Sequence, residues 1–424
     1  MADKLTEVQQ ELVKNYAQLA RKLGKLPTSR EVRKFIASGD KVAHHFGSHS
    51  QLKEAALAHS PELEDLEVPV QLVTADIEAY RLEVEKKKNE RHNKNLVKNV
   101  SNLDYIARFA ESVFKGRLDP VTPPKGKKKL TRAVSLTLSD LHFGADIQSA
   151  ETGFLSYGRT QEARRFAKII QEATLYKERY RAETELHVNL LGDIIQHKLH
   201  DAQDAAPMSE QVCRAIHLLI QGVARLAESY PRVYVHCSTG NHGRDLSRHQ
   251  ERATSGKWDS VETVIYYSVK QALSRYSNVV FDIPRTPFVI YEMLGHKMFA
   301  THGDTVIRVG NPGKSINIKM IEEQMNRINS TLKDTDEIKV AIVGHTHCPS
   351  VSFLSSGTAL VTNGALPPVD PFAVSIGILE NKAAQILFEV TEDYAVGDIR
   401  FLTAGKAEDE DDNLDKLIKP WETF

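Results

Sequence analysis

Cysteine and long apolar runs are scarce in this sequence. Among its 424 residues are three cysteines, Cys213, Cys237 and Cys348, which lie far apart and form no Cys-x-x-Cys pair. That scarcity argues against a disulfide framework or a zinc ribbon and fits a reducing compartment. No stretch approaches the roughly 20 apolar residues that span a bilayer, and the charged, amphipathic N-terminal residues lack the apolar core of a signal peptide. We therefore expect a cytoplasmic protein that does not contact membranes.

A strong net charge is also missing. The formal net charge is -1, so the chain as a whole is not attracted to nucleic acid or to an anionic membrane, and any such attraction must be local. The composition, 41% hydrophobic and 26% charged, is that of a globular protein with a sizeable core. Because 424 residues exceed one average domain, we expect a large core domain with smaller additions.

The first part of the chain, 1–65, is predicted to form a small helical domain. Apolar side chains recur at helical spacing from Leu5 to Leu23, the Thr28-Ser29 pair can cap a second helix, and the Ser48-His49-Ser50 stretch can cap a third. The order of Pro-Thr-Ser-Arg-Glu-Val, Phe-Gly-Ser and Leu-Lys-Glu-Ala resembles short helical repeats beside some phage and homing-type nucleases. That resemblance implies DNA contact, with an ordinary packing module as the alternative.

Two further segments are defined by their charge. The connector 66–130 is predicted to be a charged helix followed by a Lys-rich linker, and 15 Lys or Arg stand against 6 Asp or Glu between Arg81 and Arg132. This excess of nine positive charges is typical of a solvated helix face. It is equally suited to phosphate contacts, since Lys and Arg supply most non-specific DNA affinity. Residues 404–424 form an acidic tail that we expect to be flexible.

One pattern recurs five times in the remaining residues, 131–403. A short apolar or β-branched run ends in a turn that begins with residue types known to bind metals. Because sites in α/β sheets form beyond the carboxyl ends of strands, five such ends would bring these side chains to one edge. The residues at the five ends are Asp140 and His142; Asp193; Asn241 and His242; His302; and His345 and His347.

These residue types indicate the chemistry of the edge. Carboxylate, amide oxygen and imidazole without thiolate suit divalent ions such as Mn, Zn, Fe or Ni better than a soft metal. These candidate ligands are too many for the shell of one tetrahedral ion and suit two ions about 3.5–4 Å apart with a bridging carboxylate. A pair of this kind activates a water molecule and neutralises the charge that grows on a phosphoryl group.

The order Asp-x-His, Gly-Asp, Gly-Asn-His, His and Gly-His-x-His resembles the signature of the calcineurin-like metallophosphoesterase superfamily, over Arg132 to Phe388. The resemblance implies an α/β fold, a two-sheet β-sandwich flanked by helices in four layers, preceded here by the all-helical N-terminal domain. It also implies two divalent ions, for which we expect Mn, with Zn, Fe, Ni or Mg as alternatives. By resemblance, Asp140, His142, Asp193 and His347 would hold the first ion, Asp193, Asn241, His302 and His345 the second, Asp193 would bridge them, and His242 would protonate the leaving oxygen.

The chain departs from the family pattern after Gly-Asn-His. Members commonly carry an acidic residue there, which orients the histidine, whereas this chain has Gly243. Asp245 or another carboxylate would have to take over that role, or His242 would be less constrained. The Gly-Asp-x-x-Asp-Arg-Gly and Gly-Asn-His-Glu motifs of the serine/threonine protein phosphatases are missing, which argues against that branch.

The substrate is inferred from residues next to these motifs. Arg244, Arg248 and His200 are candidate substrate-binding residues, because a cationic loop beside two metals can clamp a phosphodiester strand. The combination resembles phage-encoded DNA-repair-exonuclease-like members, which implies a DNA nuclease acting in a host cytoplasm. A homodimer and an ATPase partner subunit remain open. The alternatives are an enzyme for nucleotides, cyclic nucleotides or another small phosphoester, and a DNA-binding or assembly protein with a vestigial site, against which the intact ligand set argues.

Overall fold

The computed structural model describes residues 5–63, 66, 122–125, 130–180, 184–197, 205–244, 257–310, 316–332, 337–375 and 383–422. The chain divides into two compact units, Met1–Ser101 and Asn102–Phe424. Nearly all of the predicted connector 66–130 lies outside the described residues. No helix in the described ranges has the length and apolar character required to cross a membrane.

Within its described residues the first unit contains four helices, where the sequence predicts three. They are α1 (Glu7–Leu23), α2 (Ser29–Phe35), α3 (Gly39–Phe46) and α4 (His49–His59), and a 3₁₀ turn, Pro61–Leu63, follows. Each helix begins after a hydroxyl side chain that accepts a hydrogen bond from a backbone amide of the first turn, which satisfies one otherwise unpaired donor. The extra helix, α3, was missed because it is short, begins with Gly39 and buries only Val42.

The main apolar cluster of this unit joins the four helices. Leu12, Val13 and Tyr16 of α1 pack with Val32 of α2 and Leu52 of α4. The Tyr16 hydroxyl donates to the carbonyl of Pro27, 3.1 Å away, so its polar end is satisfied inside the cluster. Residues 5–63 are thus helical, as the sequence predicts, and share an apolar core.

The second unit contains two β-sheets and further helices. Its strands are β1 (Arg132–Leu138), β2 (Glu185–Leu190), β3 (Arg232–Cys237), β4 (Val279–Asp282), β5 (Phe288–Met293), β6 (His296–Thr301), β7 (Ile338–Val343), β8 (Ser350–Phe353), β9 (Ala359–Thr362), β10 (Ala384–Thr391) and β11 (Ile399–Thr403). Its helices are α5 (Ser149–Thr152), α6 (Arg159–Tyr180), α7 (Met208–Ser229), α8 (Val261–Ala272), α9 (Ile318–Asn329), α10 (Pro371–Ser375) and α11 (Lys406–Asp409).

The strands that carry the predicted ligands are central and parallel in both sheets. The first sheet has the order β11-β10-β1-β2-β3-β4, and the second has the order β5-β6-β7-β9-β8. In the first sheet β1 to β4 run parallel, and in the second β6, β7 and β9 run parallel. Leu138 pairs with Leu190 and Leu190 with Cys237, so β1, β2 and β3 end at one level.

The two sheets pack face to face because their strands alternate apolar side chains between two covered faces. Ala133 of β1 and Phe388 of β10 lie in the same buried cluster as Met298 of β6 and Ile342 of β7, which is the layer between the sheets. The neighbouring residue Val134 points the other way and packs with the helices α6, α7 and α8. Helix α9 covers the outer face of the second sheet. The predicted fold, a two-sheet sandwich flanked by helices, is confirmed.

Polar and aromatic residues occupy part of the layer between the sheets. The ring of His187 on β2 lies next to His236 on β3, with Nδ1 and Nε2 3.0 Å apart, and Tyr291 of β5 stacks on His236 at 3.7 Å between ring centroids. Asp282 lies 3.4 Å from Nδ1 of His236. Burial lowers the pKa of His236, and this effect exceeds the opposing influence of Asp282.

The composition of the C-terminal segment suggests a flexible tail, but residues 404–422 pack against the helices that cover the first sheet. Arg165 of α6 is buried and donates from Nε and Nη2 to the two carboxylate oxygens of Asp409, at 2.7 and 2.6 Å. Leu414 and Ile418 are buried in the same core as β1 and α6. The expectation of a flexible tail is therefore wrong for these residues, since their acidic side chains pair with arginines and their apolar side chains complete a core.

Candidate metal centre

Turns from both sheets bring the predicted ligands together. The imidazole Nδ1 of His302, after β6, donates to the carbonyl of Leu191, after β2, at 2.7 Å. The backbone amide of His345, after β7, lies 3.0 Å from Oδ2 of Asp140, after β1. The site therefore lies where the carboxyl ends of two facing sheets meet, and not along the edge of one sheet.

The first group of ligand atoms consists of Asp140, His142 and His347, whose side chains lie close enough together to hold a metal ion. The Nε2 atoms of His142 and His347 are 3.2 Å apart, and Nε2 of His347 is 3.4 Å from Oδ1 of Asp140. Asp140 and His142 are buried, and His347 is partly accessible to solvent. These are three of the four residues predicted for the first ion.

The second group consists of Asp193, His302 and His345. Nε2 of His302 lies 3.1 Å from Oδ2 of Asp193, 3.2 Å from Nδ1 of His345 and 3.0 Å from Oδ1 of Asn241. All four residues predicted for the second ion are thus assembled. Asp193 is grouped with the second cluster alone, so its role as a bridge stays a prediction.

The chemistry of the two groups fits divalent ions. Within each group two imidazole nitrogens face one another at 3.2 Å, and neutral nitrogens with facing lone pairs repel unless a proton or a cation lies between them. For metal-to-nitrogen bonds of 2.0–2.1 Å in a tetrahedral shell, neighbouring ligand atoms are about 3.3–3.4 Å apart. The observed separations match that spacing.

The electrostatic field of the site also favours cations. Burial disfavours charge on His302, yet the carboxylates of Asp193 and Asp140 outweigh that effect and raise the pKa of His302 to about 10. Burial likewise opposes the charge of Asp193, but the neighbouring His302 and His242 hold the pKa of Asp193 well below its usual range. Burial and the adjacent charge of His302 lower the pKa of His345 to about 4. The carboxylates therefore remain ionised and His345 keeps a free lone pair near neutral pH.

The backbone of the site is held in an unfavourable conformation. Seven described residues other than glycine have a positive φ, and five of these are predicted ligands: Asp140, His142, Asp193, His345 and His347. Such conformations cost about 1–3 kcal/mol each and persist where the surrounding structure enforces them. Gly240 shows how close the packing is, since a Cβ there would lie 2.1 Å from Oδ1 of Asp193.

His242 lies beside both groups. Its ring packs edge to face on His142, with centroids 4.7 Å apart, and its Nε2 lies 3.9 Å from Oδ2 of Asp193. Its Nδ1 donates to the carbonyl oxygen of Gln196 at 2.5 Å. That contact fixes the tautomer and orients the ring, which is the role that the family pattern gives to a carboxylate. Asp245, one of the carboxylates suggested for this role, lies outside the described residues.

Only one of the predicted substrate-binding residues is described. Arg244 is half-buried and its backbone forms an isolated β-bridge with Ser260 at the start of α8. Arg248 and His200 lie outside the described residues, so their roles stay predictions.

Several residues that support the site had no signal in the sequence motifs. Glu262 of α8 and Glu162 of α6 are fully buried, and burial raises the pKa of each to about 7. Glu162 accepts a hydrogen bond from the amide of Gly144, close to the first group. Ser139 donates to Asp140 at 2.5 Å and accepts from the side-chain amide of Asn363 at 2.9 Å. In the sequence, a glutamate inside an amphipathic helix cannot be told from a solvent-facing charge. No sequence pattern therefore points to Glu262 or Glu162.

No protein-family model and no curated protein matches the chain. Partial similarity to solved structures includes a dimetal phosphatase from Danio rerio, with 13% identity, 64% of this chain and 98% of that chain covered, and a TM-score of 0.30. For the calcineurin-like phosphoesterase YfkN from Bacillus subtilis the identity is 13%, the match covers 69% of this chain and 96% of that chain, and the TM-score is 0.28. For a 5'-nucleotidase from Candida albicans the identity is 10%, the match covers 70% of this chain and 58% of that chain, and the TM-score is 0.34. Similarity at this level says nothing of activity or substrate, which must be inferred from the side chains of the site.

Proposed function

We propose that this chain is a two-metal phosphodiesterase of the calcineurin-like metallophosphoesterase superfamily and that its substrate is DNA. The observation that carries the proposal is the convergence of two three-residue ligand groups, Asp140, His142 and His347, and Asp193, His302 and His345, beside a single oriented histidine, His242. A vestigial site would not be expected to keep every ligand in place on a costly backbone conformation.

The two groups would hold two divalent ions, with Asn241 added to the second and Asp193 shared. When bound, such a pair supplies an activated water as nucleophile and neutralises the charge of the phosphoryl group. The protein orients the ligands through their outer hydrogen bonds. His302 is one example, because its Nδ1 proton is held by the carbonyl of Leu191 and its Nε2 faces the site.

His242 is the proposed general acid. Its Nδ1 proton is committed to the carbonyl of Gln196, which leaves Nε2 as the atom that can hold a proton toward a leaving oxygen. The ring is buried between the ligand-bearing turns, so it can reach a substrate only at the metal centre. His242 would therefore act on the substrate, whereas the ligands would hold the ions.

The charge pattern of the sequence supports DNA as the substrate. The excess of nine positive charges between Arg81 and Arg132 would provide phosphate contacts on a chain whose net charge is only -1. Arg244, Arg248 and His200, which follow the ligand motifs in the sequence, would add to them. The helical unit of residues 5–63 would add further contact to DNA. Mn is the proposed metal, with Zn, Fe, Ni or Mg as alternatives, because carboxylate, amide oxygen and imidazole without thiolate suit such divalent ions better than a soft metal.

The decisive experiment measures hydrolysis of single- and double-stranded DNA and of bis-(p-nitrophenyl) phosphate with Mn²⁺. Asp193→Asn should abolish both activities, and the matched variant Asp393→Asn, at an exposed aspartate in a turn, should leave both intact. Full activity of Asp193→Asn would refute the two-metal assignment. Hydrolysis of the nitrophenyl ester without cleavage of DNA would retain the metal chemistry and redirect the substrate toward nucleotides or cyclic nucleotides.

The DNA assignment has its own test in the connector. Replacing Lys86, Lys87 and Lys88 together with Lys127–Lys129 by Gln should weaken DNA binding and flatten its salt dependence. The log-log slope should fall by roughly 0.9 for each DNA phosphate that the variant no longer neutralises. Hydrolysis of the nitrophenyl ester should not change. Equal DNA affinity and salt slope in the wild type and the variant would count against a DNA-binding connector.

A further inference from the structure

Glu262, in the first turn of α8, has a fully buried carboxylate that is not one of the proposed metal ligands. Its Oε1 accepts a hydrogen bond from the backbone amide of Ile194 at 2.7 Å. Its Oε2 accepts one from the backbone amide of Gly240 at 2.6 Å. Two backbone amides thus bind one carboxyl group, and each bond is strengthened because the surroundings exclude water.

The two amides belong to two different ligand-bearing turns. Ile194 directly follows Asp193 at the end of β2, and Gly240 directly precedes Asn241 at the end of β3. The carboxylate of Glu262 thus spans the two turns from the side of the helix layer. It fixes the separation between a carboxylate and an amide oxygen that are both predicted ligands of the second ion.

The space occupied by Glu262 accounts for the glycine that departs from the family pattern. A Cβ on Gly243 would lie 2.4 Å from Cγ of Glu262 and 2.6 Å from Oγ of Ser260. The backbone of Gly243 is itself tied to this helix, since its carbonyl accepts from the amide of Val261 at 2.9 Å. A side chain at position 243 and the present position of Glu262 therefore exclude one another.

We propose that Glu262 is a positioning residue for the second metal ion, and that its side chain occupies the space that a side chain at position 243 would fill. Glu262 holds the turns of Asp193 and Asn241 at the spacing that the ion requires. This inference rests on the proposed two-metal function and adds to it a residue that acts through the ligands and touches neither ion nor substrate.

The test uses Glu262→Gln in the full-length protein. Glutamine has the same size and keeps one acceptor oxygen. Its NH₂ group, however, is a donor that would face one of the two backbone amides, so one hydrogen bond is lost. We expect the fold to persist and the affinity for the second Mn²⁺ to fall by about 10–100-fold, the usual effect of removing an outer hydrogen bond at a metal site. Isothermal titration with Mn²⁺ gives the two affinities, and the electron paramagnetic resonance spectrum of a coupled Mn pair should give way to that of an isolated ion.

A matched control separates positioning from general loosening of α8. Thr263→Val changes the next residue of the helix and removes a hydrogen bond from its hydroxyl to the carbonyl of Trp258, without altering the hydrogen bonds of Glu262. It should bind both ions with wild-type affinity. Equal loss of the second ion in Thr263→Val and Glu262→Gln would overturn the proposal, because any disturbance of the helix would then suffice.

A second variant covers the case in which Glu262→Gln does not fold. Gly243→Ala retains Glu262 but pushes its side chain away through the added Cβ. Selective loss of the second ion is expected here too, and two ions bound with wild-type affinity would overturn the proposal. Failure of the wild-type protein to bind two ions would instead count against the proposed function itself.

Discussion

The Nε2 atoms of His142 and His347 face each other across 3.2 Å, and Oδ1 of Asp140 lies 3.4 Å from Nε2 of His347. Two imidazole nitrogens approach this closely when the hydrogen of an N–H group or a metal cation lies between them. Each histidine is held from its own strand end, so the removal of one leaves the other in position.

This geometry predicts the metal content of single variants. His347→Ala should lower the bound Mn from two ions to one, because it removes a ligand of the first group and none of the second. Elemental analysis after gel filtration gives the ratio of metal to protein. His44→Ala, at an exposed histidine of the first unit, is the control and should keep two ions. Two ions retained in His347→Ala would contradict the assignment of this residue.

His242 should affect turnover and not metal binding. His242→Ala is expected to keep both ions and to lose about 10²–10⁴-fold in kcat on DNA, whose leaving alkoxide needs a proton. The loss should be much smaller on bis-(p-nitrophenyl) phosphate, because nitrophenolate leaves without protonation. Comparing kcat for the two substrates, with metal content measured on the same samples, checks this. An equal loss on both substrates would show that His242 is not the general acid.

The pair of Arg165 and Asp409 predicts a large effect on stability. Asp409→Ala would leave the buried guanidinium of Arg165 uncompensated and should lower the free energy of unfolding by about 3–5 kcal/mol. The comparison is Asp412→Ala, whose carboxylate pairs with Arg164 but is 86% exposed. That change should cost less than about 1 kcal/mol. Urea unfolding of the two variants gives both values, and similar losses would contradict the burial argument.

His236 predicts a pH dependence of stability. Because burial lowers its pKa below the ordinary 6.5, the unfolded chain takes up a proton at a higher pH than the folded one. The stability that His236 contributes is therefore present above pH ~6.5 and is lost as the pH falls through its folded pKa. His236→Asn should lose less stability than the wild type between pH 7.5 and 5. Urea unfolding with a chelator present tests this, and equal slopes would refute it.

The strand ends of the second unit, and the candidate ligands that follow them, could be predicted from the sequence because both signals are local. A β-branched run followed directly by Gly-Asp or Gly-His marks a strand end, and the pairing of Leu138 with Leu190 then sets neighbouring ends at one level. The supporting interactions could not be predicted in this way. The carbonyl of Gln196 that orients His242 is a backbone group and carries no sequence signature, and Glu262 is linked to Gly240 only through the fold.

Composition misled at the C-terminal segment for a related reason. A run such as Glu408 to Asp412 is typical of a solvated tail when its partners are unknown. Arg164 and Arg165 lie almost 250 positions earlier, on α6. Only the folded chain shows that Arg164 donates to the carboxylate of Asp412 and Arg165 to that of Asp409.

Leu414 and Ile418 lie in the core between the first sheet and its helices. Their position near the end of the sequence limits when this core can form during synthesis. Strand β1 pairs with β10, where Arg132 meets Thr391, so the central sheet cannot close until most of the chain has been made. The core between that sheet and its helices is complete only after Ile418 has been synthesised. On a ribosome the second unit must therefore stay incomplete through almost all of its translation, with contacts of long sequence separation that form slowly, whereas the four helices of residues 5–63 can fold as soon as they emerge.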